Sequence, residues 1–413
     1  MYDVTSIDFT SAYPAEIVKE PIFPMSAGEL VEEVTTEIFD TSCKLYFCMF
    51  DVIFEGLEAT FLYDNYISYS RCWQKDGVTQ SNGRVVCGDV VGTTITNIDF
   101  EIIKRTYKWK KMKIARLRRY KRGYLPTNFI KAVLSLYKDK TTLKGVDEMV
   151  VEYMQKKGMC NSTYGMTCQS IYKDNSVYNG EDWEIEEADA EAEIEKYNTS
   201  KNRFLYYLWA LVVTASCRRD LWSAILEFGS DYVYADTDSV KVLNIEKHKD
   251  YIEKYNNHCF RQLEKSSQFH NIPLEWYMPK TIKGEVKTIG LWDEDAKYMI
   301  FRSIGAKRYL CEYWDGHNSL TVSGLNKSVA LPYLIDTYGN NIFEYFTDDL
   351  YIPKGKTGKL IHTYIDDERH GTVKDYMGNV STYYEKTCVH LEEADYSLSI
   401  SDEFKDYISQ IQY

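Results

Sequence analysis

Three aspartates in two short segments could bind divalent cations together. Asp8 lies in DFTSAYP, and Asp236 and Asp238 lie in YADTDS. An apolar stretch predicts a strand before Asp8, and DYVYADTDSVKVL predicts two strands with the other two aspartates at the turn between them. Carboxylates buried together repel each other and become protonated unless cations lie between their oxygens. Two Mg²⁺ ions that bridge such carboxylates and a triphosphate can activate a hydroxyl nucleophile and stabilise the departing pyrophosphate.

Each segment alone also has a simpler interpretation. Asp is common in surface hairpin turns, so DTD by itself favours such a turn. DFTSAYP by itself is compatible with a strand that ends in a turn, since Pro14 lacks the N–H that strand pairing needs. The joint occurrence of both segments, with a third one between them, favours a catalytic site.

The third segment is KKGMCNSTYG, residues 156–165, within a predicted helix. Lys157, Asn161 and Tyr164 are separated by four and three residues, so they share one face of that helix. A cation, an amide and an aromatic ring on one face suit a nucleotide, because the charge can bind phosphates and the ring can pack against a base. The alternative is an amphipathic helix with a solvated Lys and a core Tyr.

In order and spacing, these segments resemble the conserved motifs of family B DNA polymerases. DFTSAYP corresponds to DxxSLYP, KGMCNSTYG to KxxxNSxYG, YADTDS to YxDTDS, and Lys307-Arg308-Tyr309 to the KxY motif. Residues 289–298 and 322–327 resemble the segments that flank KxY in protein-primed phage polymerases. The similarity runs from about residue 5 to 330 and more loosely to the end of the sequence. Ala12 stands where the family usually has Leu, which is a change in packing.

The resemblance implies a role for each motif residue. Asp8, Asp238 and the backbone carbonyl of Phe9 would bind two Mg²⁺ ions, for which Mn²⁺ could substitute, and Asp236 would be an essential supporting residue. Tyr13 would exclude the ribose 2′-hydroxyl. The incoming dNTP would be bound by Lys138, Lys157, Asn161 and Tyr164. Lys307 and Tyr309 would hold the primer terminus.

The resemblance also implies an α+β fold of the right-hand type, with an antiparallel-sheet palm, helical-hairpin fingers and a small thumb. The expected domains are palm at 1–54, an insertion with palm strands and a basic segment at 55–126, fingers at 127–168, a second insertion at 169–203, palm at 204–330 and thumb at 331–413. Apolar periodicity predicts helices over Thr127–Tyr137, Val146–Tyr164 and Arg203–Phe228, with Lys144-Gly145 as a break.

A basic segment extends from Lys104 to Arg122 and contains eleven Lys or Arg residues and no acid. It favours contact with the phosphates of DNA, and the candidate contacts are Lys110, Lys111, Arg118 and Arg119. Tyr107, Trp109 and Tyr120 lie among the charges and could stack on bases. The alternative is a solvated basic face. The acidic stretch 181–195 is interpreted as a solvated surface insertion, and the net charge of −13 argues against a surface that binds nucleic acid throughout.

Several features predict where and with what the protein works. The ten cysteines form no CxxC pair, which indicates reduced thiols, and no apolar run is long enough to span a membrane. The resemblance implies primer-template DNA and dNTPs as partners in the cytoplasm of a virus-infected, bacterial host cell. Only seven residues precede Asp8, so either the sequence is an excised fragment or the 3′–5′ exonuclease is on a separate chain, and the initiator-like Met1 favours the separate chain. The insertions between the first and second motifs and between the second and third resemble those that hold the priming protein in protein-primed polymerases. A terminal (priming) protein is therefore a further candidate partner.

The expected function is a DNA-directed DNA polymerase that transfers dNMP to a primer 3′-hydroxyl, as the polymerase subunit of a split viral replicase. A non-catalytic polymerase-like subunit is the alternative, but such a subunit usually loses the metal-binding acids, and Asp8, Asp236 and Asp238 are all present. A reverse transcriptase or RNA polymerase would share the palm chemistry, whereas the DTDS, NSTYG and KRY segments together favour DNA synthesis.

Overall fold

The computed structural model describes residues 1–178, 183–201, 203–374 and 377–398. The chain divides into two compact units. The larger unit comprises Thr5–Ser170 and Ser200–Ala296, and the smaller unit comprises Met1–Val4, Ile171–Thr199 and Lys297–Tyr413. Parts of the predicted second insertion, of the acidic stretch and of the predicted thumb segment lie outside the described residues.

The helices and strands follow in chain order. The helices are α1 (Ala12–Lys19), α2 (Thr36–Leu45), α3 (Asn97–Thr106), α4 (Thr127–Leu143), α5 (Val150–Gly165), α6 (Ala190–Thr199), α7 (Tyr207–Phe228), α8 (Lys249–His270), α9 (Lys327–Tyr338) and α10 (Ile342–Tyr345). The strands are β1 (Tyr2–Phe9), β2 (Phe23–Pro24), β3 (Glu29–Leu30), β4 (Phe47–Ala59), β5 (Cys72–Asp76), β6 (Thr79–Ser81), β7 (Arg84–Thr96), β8 (Tyr107–Lys108), β9 (Lys111–Tyr120), β10 (Arg122–Gly123), β11 (Asn175–Tyr178), β12 (Trp183–Glu186), β13 (Tyr232–Asp236), β14 (Ser239–Val242), β15 (Trp292–Gly305), β16 (Arg308–Tyr313), β17 (Asn318–Val322), β18 (Tyr351–Ile352), β19 (Lys359–Lys374), β20 (Val380–Ala394) and β21 (Tyr396–Ser397).

In the larger unit, β14 pairs antiparallel with β13 on one side and β1 on the other. Alternation along these strands separates an apolar face from a polar one. Ile7, Val240 and Val242 are buried in the main hydrophobic core together with residues of α7. The opposite face carries the carboxylates, so the core fixes which way the acidic side chains point.

A second sheet of the larger unit has the strand order β3-β9-β4-β7-β5. Phe50, Val52 and Phe54 alternate along β4 and are buried in the core. Helix α3 begins with a capping box, in which the Thr96 hydroxyl accepts from the Asp99 N–H and the Asp99 carboxylate accepts from the Thr96 N–H.

The two helices predicted between residues 127 and 164 form an adjacent pair, α4 and α5. Helix α4 buries Ile130, Val133, Leu134 and Tyr137, which recur at spacings of three and four. Gly145 has a φ of 82° and provides the break between the helices. Helix α5 begins at Val150 and not at the predicted Val146, because residues Asp147–Met149 form a 3₁₀ turn.

The long helix α7 begins at Tyr207 and not at the predicted Arg203. Tyr206 has a non-helical φ of −144°. Its ring stacks on Trp209 with the centroids 4.0 Å apart, so the residue before the helix is held by an aromatic contact. The helix ends at Phe228, as the sequence predicts.

In the smaller unit, β16 pairs with β15 on one side and β17 on the other. Leu310, Leu320, Leu334 and Phe346 form a separate core, to which α9 and α10 contribute. A long antiparallel hairpin follows, in which β19 pairs with β20. The short helix α6 has no buried residues, and Glu184 and Glu186 in β12 are exposed, in keeping with a solvated acidic stretch over the described residues.

The basic segment covers the end of α3, the strands β8 and β9 and the start of β10, and its aromatic residues pack into the core. Tyr107 and Tyr120 are 4% and 7% exposed, and Trp109 packs against Phe54 in the core. The prediction that these rings stack on nucleic acid is therefore wrong, because they pack in the hydrophobic core of the protein. No described helix is both long and apolar enough to cross a membrane.

Candidate active site

Asp8, Asp236 and Asp238 meet at one end of the β13-β14-β1 sheet. Ser239, the first residue of β14, is opposite Asp8 on β1 and opposite Asp236 on β13. The Phe9 N–H donates to the Asp238 carbonyl at 2.9 Å. The main chain therefore connects the two acidic segments directly, although more than 220 residues separate them in the sequence.

The turn that carries Asp238 is strained. Thr237 has a φ of 58°, which is unusual for a β-branched residue, and the Asp238 N–H donates to the Asp236 carbonyl at 2.7 Å. The Thr237 hydroxyl bonds the Asp236 carboxylate at 3.0 Å. Such backbone conformations persist only where the surroundings hold them, and they are concentrated at functional sites.

Burial and neighbouring charges perturb the carboxyl group of Asp8. Burial raises the pKa of its carboxyl to about 7, and the carboxylates of Asp238 and Asp295 add to the rise. Lys241 and the Phe9 backbone N–H lower the pKa but do not cancel these effects. A carboxyl group with such a pKa is stabilised in its charged form when a cation lies beside it.

The segment after Asp8 is held in place by residues 290–292. Thr10 exchanges main-chain hydrogen bonds with Leu291 and Gly290, at 3.0 and 2.7 Å, and the Phe9 ring stacks on Trp292. Gly290 has a φ of 81°, and a Cβ there would lie 2.9 Å from the Ala15 Cβ. Only glycine fits this position without a shift, because the chain passes so close to α1.

Tyr13 and Tyr164 bring α1 and α5 together at the site. Their ring centroids are 4.8 Å apart with the planes tilted by 48°. Burial raises the pKa of both phenols, that of Tyr164 to about 12, so both hydroxyls are neutral at physiological pH. Lys157 and Asn161 lie on the same helix as Tyr164 and are exposed.

Lys140 is a site residue that the sequence reasoning missed. Its Nζ donates to the Ser11 hydroxyl, one residue before α1, whereas the predicted contact Lys138 is exposed on α4. Burial lowers the pKa of Lys140, and the charges of Lys157 and Lys144 lower it further. Two lysines from neighbouring helices, Lys140 and Lys157, are thus close enough to repel each other, which is typical of a place that receives an anion.

Arg218 on α7 is a second residue that was not predicted. It donates to the buried Asp99 carboxylate at 2.7 Å and to the Tyr66 hydroxyl at 3.0 Å. Its charge also lowers the pKa of Tyr13 and Tyr164, although burial outweighs this effect. Arg218 therefore connects α3 to the tyrosine pair, and its position on α7 becomes apparent only in three dimensions.

The predicted DNA contacts are in three different settings. Lys307 and Tyr309 belong to the smaller unit, where Lys307 has a φ of 54° at the turn between β15 and β16 and Tyr309 is opposite Ser303 and Thr321. Lys110 and Arg118 are exposed and have no ion-pair partner in the part of the chain that the structure describes. Lys111 pairs with Glu55 at 3.6 Å, and Arg119 binds Glu29 through two hydrogen bonds.

The donor set at the aspartates fits Mg²⁺. Carboxylate and carbonyl oxygens are the ligands this ion prefers. Among the described residues, no three or more His, Cys, Asp and Glu side chains are grouped so as to hold a metal ion. Mg²⁺ is often bound by only one or two carboxylates together with the phosphates of a substrate, and Asp8 and Asp238 could supply those carboxylates.

Comparison with known proteins identifies a structural likeness without a sequence match. No model of a protein family matches the chain. No curated protein matches it either. Phi29 DNA polymerase complexed with primer-template DNA and incoming nucleotide substrates is similar in structure, with a TM-score of 0.59 and 14% identity over 95% of this chain and 58% of that chain. The same polymerase complexed with single-stranded DNA has a TM-score of 0.60 and 15% identity, over 97% of this chain and 58% of that one.

The chain thus spans less than two thirds of the length of the phi29 polymerase chains. At this identity the likeness is one of fold. The protein has an α+β fold that resembles the fold of phi29 DNA polymerase.

Proposed function

We propose that this chain is the polymerase part of a family B DNA polymerase, which adds dNMP to the 3′-hydroxyl of a primer. The observation that carries the proposal is the main-chain hydrogen bond from Phe9 to Asp238, which unites the two acidic motifs at one sheet end in a fold like that of phi29 DNA polymerase. The palm, fingers and thumb boundaries given above are part of the proposal.

Asp8, Asp238 and the Phe9 carbonyl would hold two Mg²⁺ ions, or Mn²⁺ in their place. When bound, the ions would lower the pKa of the primer hydroxyl and neutralise charge on the phosphates. The raised pKa of Asp8 supports this role, because burial and neighbouring carboxylates make its charged form costly in the metal-free protein. Asp236 supports the turn through its contact with Thr237.

The incoming dNTP would lie between α1, α4 and α5. Lys140 and Lys157 would bind the triphosphate, and Lys138 stays a further predicted contact. Tyr13 would face the sugar and exclude a ribose 2′-hydroxyl, and Asn161 and Tyr164 would line the nascent base pair. Burial keeps the Tyr13 hydroxyl neutral, so it could donate a hydrogen bond and would not repel phosphate.

DNA would be bound outside the aspartate group. Lys307 and Tyr309 are proposed to hold the primer terminus, and Lys110, Lys111, Arg118 and Arg119 to bind phosphates. The ion pairs of Lys111 and Arg119 would have to open or rearrange for this, which makes Lys110 and Arg118 the stronger contacts of the four.

Primer extension tests the proposal. The purified chain is incubated with a primed template, four dNTPs and Mg²⁺, beside the Asp238→Asn variant and a sample with EDTA. Extension by the wild-type chain that is lost in both controls is the expected result. A folded wild-type chain that binds primed template but does not extend it would contradict the proposal.

Replacement of Lys140 by Gln is expected to raise the KM for dNTP by about 10- to 100-fold and to change kcat less, because a partly buried cation near the triphosphate contributes roughly 1.5–3 kcal/mol. Single-nucleotide incorporation as a function of dNTP concentration measures this. Lys131→Gln, exposed on the same helix α4, is the matched control and should stay within about twofold of the wild type. Lys138→Gln is measured beside Lys140→Gln, because both residues are proposed contacts. A larger effect from Lys138→Gln would assign the contact to that residue.

Two protein partners are also proposed. The first is a separate chain that would supply a 3′–5′ exonuclease. A terminal protein would serve as primer, and detection of a deoxynucleotide covalently attached to such a protein would support this. Extension from oligonucleotide primers alone would count against the protein primer.

A further inference from the structure

A lysine is buried three residues after Asp238, on the polar face of strands β13, β14 and β1. Lys241 is 4% exposed, and its neighbour across the β1–β14 ladder, Ser6, is fully buried. The Lys241 Nζ donates to the Ser6 hydroxyl at 2.8 Å and to the Ser239 hydroxyl at 3.2 Å. Because side chains alternate along a strand, Lys241, Ser239, Ser6 and Asp8 all lie on one face.

Ser239 links this ammonium group to both acidic segments. Its hydroxyl accepts from Lys241 and donates to the Asp236 carbonyl at 3.3 Å. The same residue lies opposite Asp8 in the β1–β14 register. The cation is therefore one side chain away from the turn that carries Asp238 and from the strand that carries Asp8.

Burial of an ammonium group is unfavourable unless negative charge lies nearby. Here the candidate metal site supplies negative charge, since Ser239, to which the Lys241 Nζ donates, lies opposite both Asp8 and Asp236 in the sheet register. A Met or Gln would fit the same space without the cost of burying a charge. Packing therefore explains the size of this side chain but not its positive charge.

We propose that Lys241 is an internal counter-charge of the Asp8 and Asp238 carboxylates, which stabilises the metal-free site and limits how tightly it binds a divalent cation. The inference rests on the proposed function for the role of the metal. A site that must exchange ions in each catalytic cycle benefits from limited affinity. In the metal-free protein, Lys241 partly replaces the missing positive charge; when a divalent cation binds, the ammonium group repels it.

A double-mutant cycle in EDTA tests the electrostatic coupling without any metal. The equilibrium constant for urea-induced unfolding is measured at pH 8.5 for the wild type, Asp8→Asn, Lys241→Met and the double variant. The factor by which Lys241→Met favours unfolding is expected to be at least about fivefold larger when Asp8 is present than when Asn replaces it. Equal factors in both backgrounds would overturn the proposal.

Binding of Mn²⁺, followed by electron paramagnetic resonance without DNA or nucleotide, tests the effect on the metal. Lys241→Met and Lys241→Gln are expected to bind Mn²⁺ about tenfold more tightly than the wild type, because the repulsion between like charges is removed. The Gln variant keeps a hydrogen-bonding group for Ser6 and Ser239. Lys249→Gln, on the exposed start of α8, changes the net charge equally and should leave the affinity unchanged.

The outcomes separate this inference from the proposed function. Affinity that is unchanged or weaker in both Lys241 variants would show a merely structural lysine and overturn the inference, while the wild type still extends primers. Coupling between Lys241 and Asp8 together with tighter Mn²⁺ binding supports it. Failure of the proposed function has a different signature, namely Mn²⁺ binding that is unaffected by Asp238→Asn and a wild-type chain without primer extension.

Discussion

Replacement of Asp8 by Asn is expected to lower kcat/KM for dNMP incorporation by at least about 1000-fold, because a proposed metal ligand would lose its charge. Single-turnover incorporation on a primed template measures the loss. The main-chain contact between Phe9 and Asp238 does not involve the Asp8 side-chain charge, so the variant should keep the local fold. An activity within about tenfold of the wild type would remove Asp8 from the metal site.

The same substitution is expected to stabilise the metal-free protein above pH 7. The folded protein holds the Asp8 proton up to a pKa of about 7, whereas the unfolded chain releases it near 3.8. Stability contributed by the protonated group is therefore fully present below pH 4 and is lost as the pH rises to about 7. Asn carries no charge, so the Asp8→Asn variant does not lose this stability. Above pH 7 its free energy of unfolding should exceed that of the wild type by about 1–2 kcal/mol, a figure that allows for solvent screening of the half-buried carboxyl group.

Urea unfolding in EDTA at pH 4.5 and pH 8.5 measures this difference. The free energies of unfolding of the wild type and of Asp8→Asn should differ less at the lower pH, and the difference at pH 8.5 should shrink when Mg²⁺ is added to the wild type. Asp76→Asn is the matched control, since Asp76 is exposed and its carboxylate accepts a hydrogen bond from Gln74. Equal stability of wild type and Asp8→Asn at both pH values would contradict the raised pKa of Asp8.

Local sequence patterns predicted much of the framework around the site. The strand before Asp8, the strand-turn-strand around Asp236 and Asp238, and the helix pair α4 and α5 follow from period-two and period-3.6 alternation and from glycine at the break. These signals are local, because they depend on which face of a single element is buried. Helix starts were less accurate, as a 3₁₀ turn before α5 and an aromatic contact before α7 have no such periodicity.

Contacts between distant segments could not be predicted. The run from Lys104 to Arg122 contains no acid, yet Glu29, Glu55 and Asp51 from neighbouring strands pair with its Arg119, Lys111 and Arg116. Which of Lys138 and Lys140 faces the candidate site depends on the rotation of α4 about its own axis relative to α1. That rotation is set by packing and not by the local sequence. The burial of Lys241 likewise has no signal in the sequence, where a lysine between two valines is compatible with an exposed strand face.

Replacement of Tyr13 by Val is expected to reduce discrimination against ribonucleotides by about 100-fold or more, while kcat/KM for the matching dNTP stays within about tenfold. The ring of Tyr13 is half-buried and held against Tyr164 at 4.8 Å, so it cannot easily swing away from an extra hydroxyl. Val removes the ring and opens space for the 2′-hydroxyl. The ratio of kcat/KM values for dNTP and rNTP on the same primed template measures discrimination.

Two matched variants distinguish exclusion by the ring from general damage to the site. Tyr13→Phe keeps the ring and loses only the hydroxyl, so its discrimination should stay close to that of the wild type. Tyr164→Phe keeps the ring against which Tyr13 packs and should behave in the same way. If Tyr13→Val lowered dNTP and rNTP incorporation by the same factor, Tyr13 would support the shape of the pocket without selecting the sugar. Since selection is a difference between two transition-state free energies, only a change in the ratio demonstrates a steric gate.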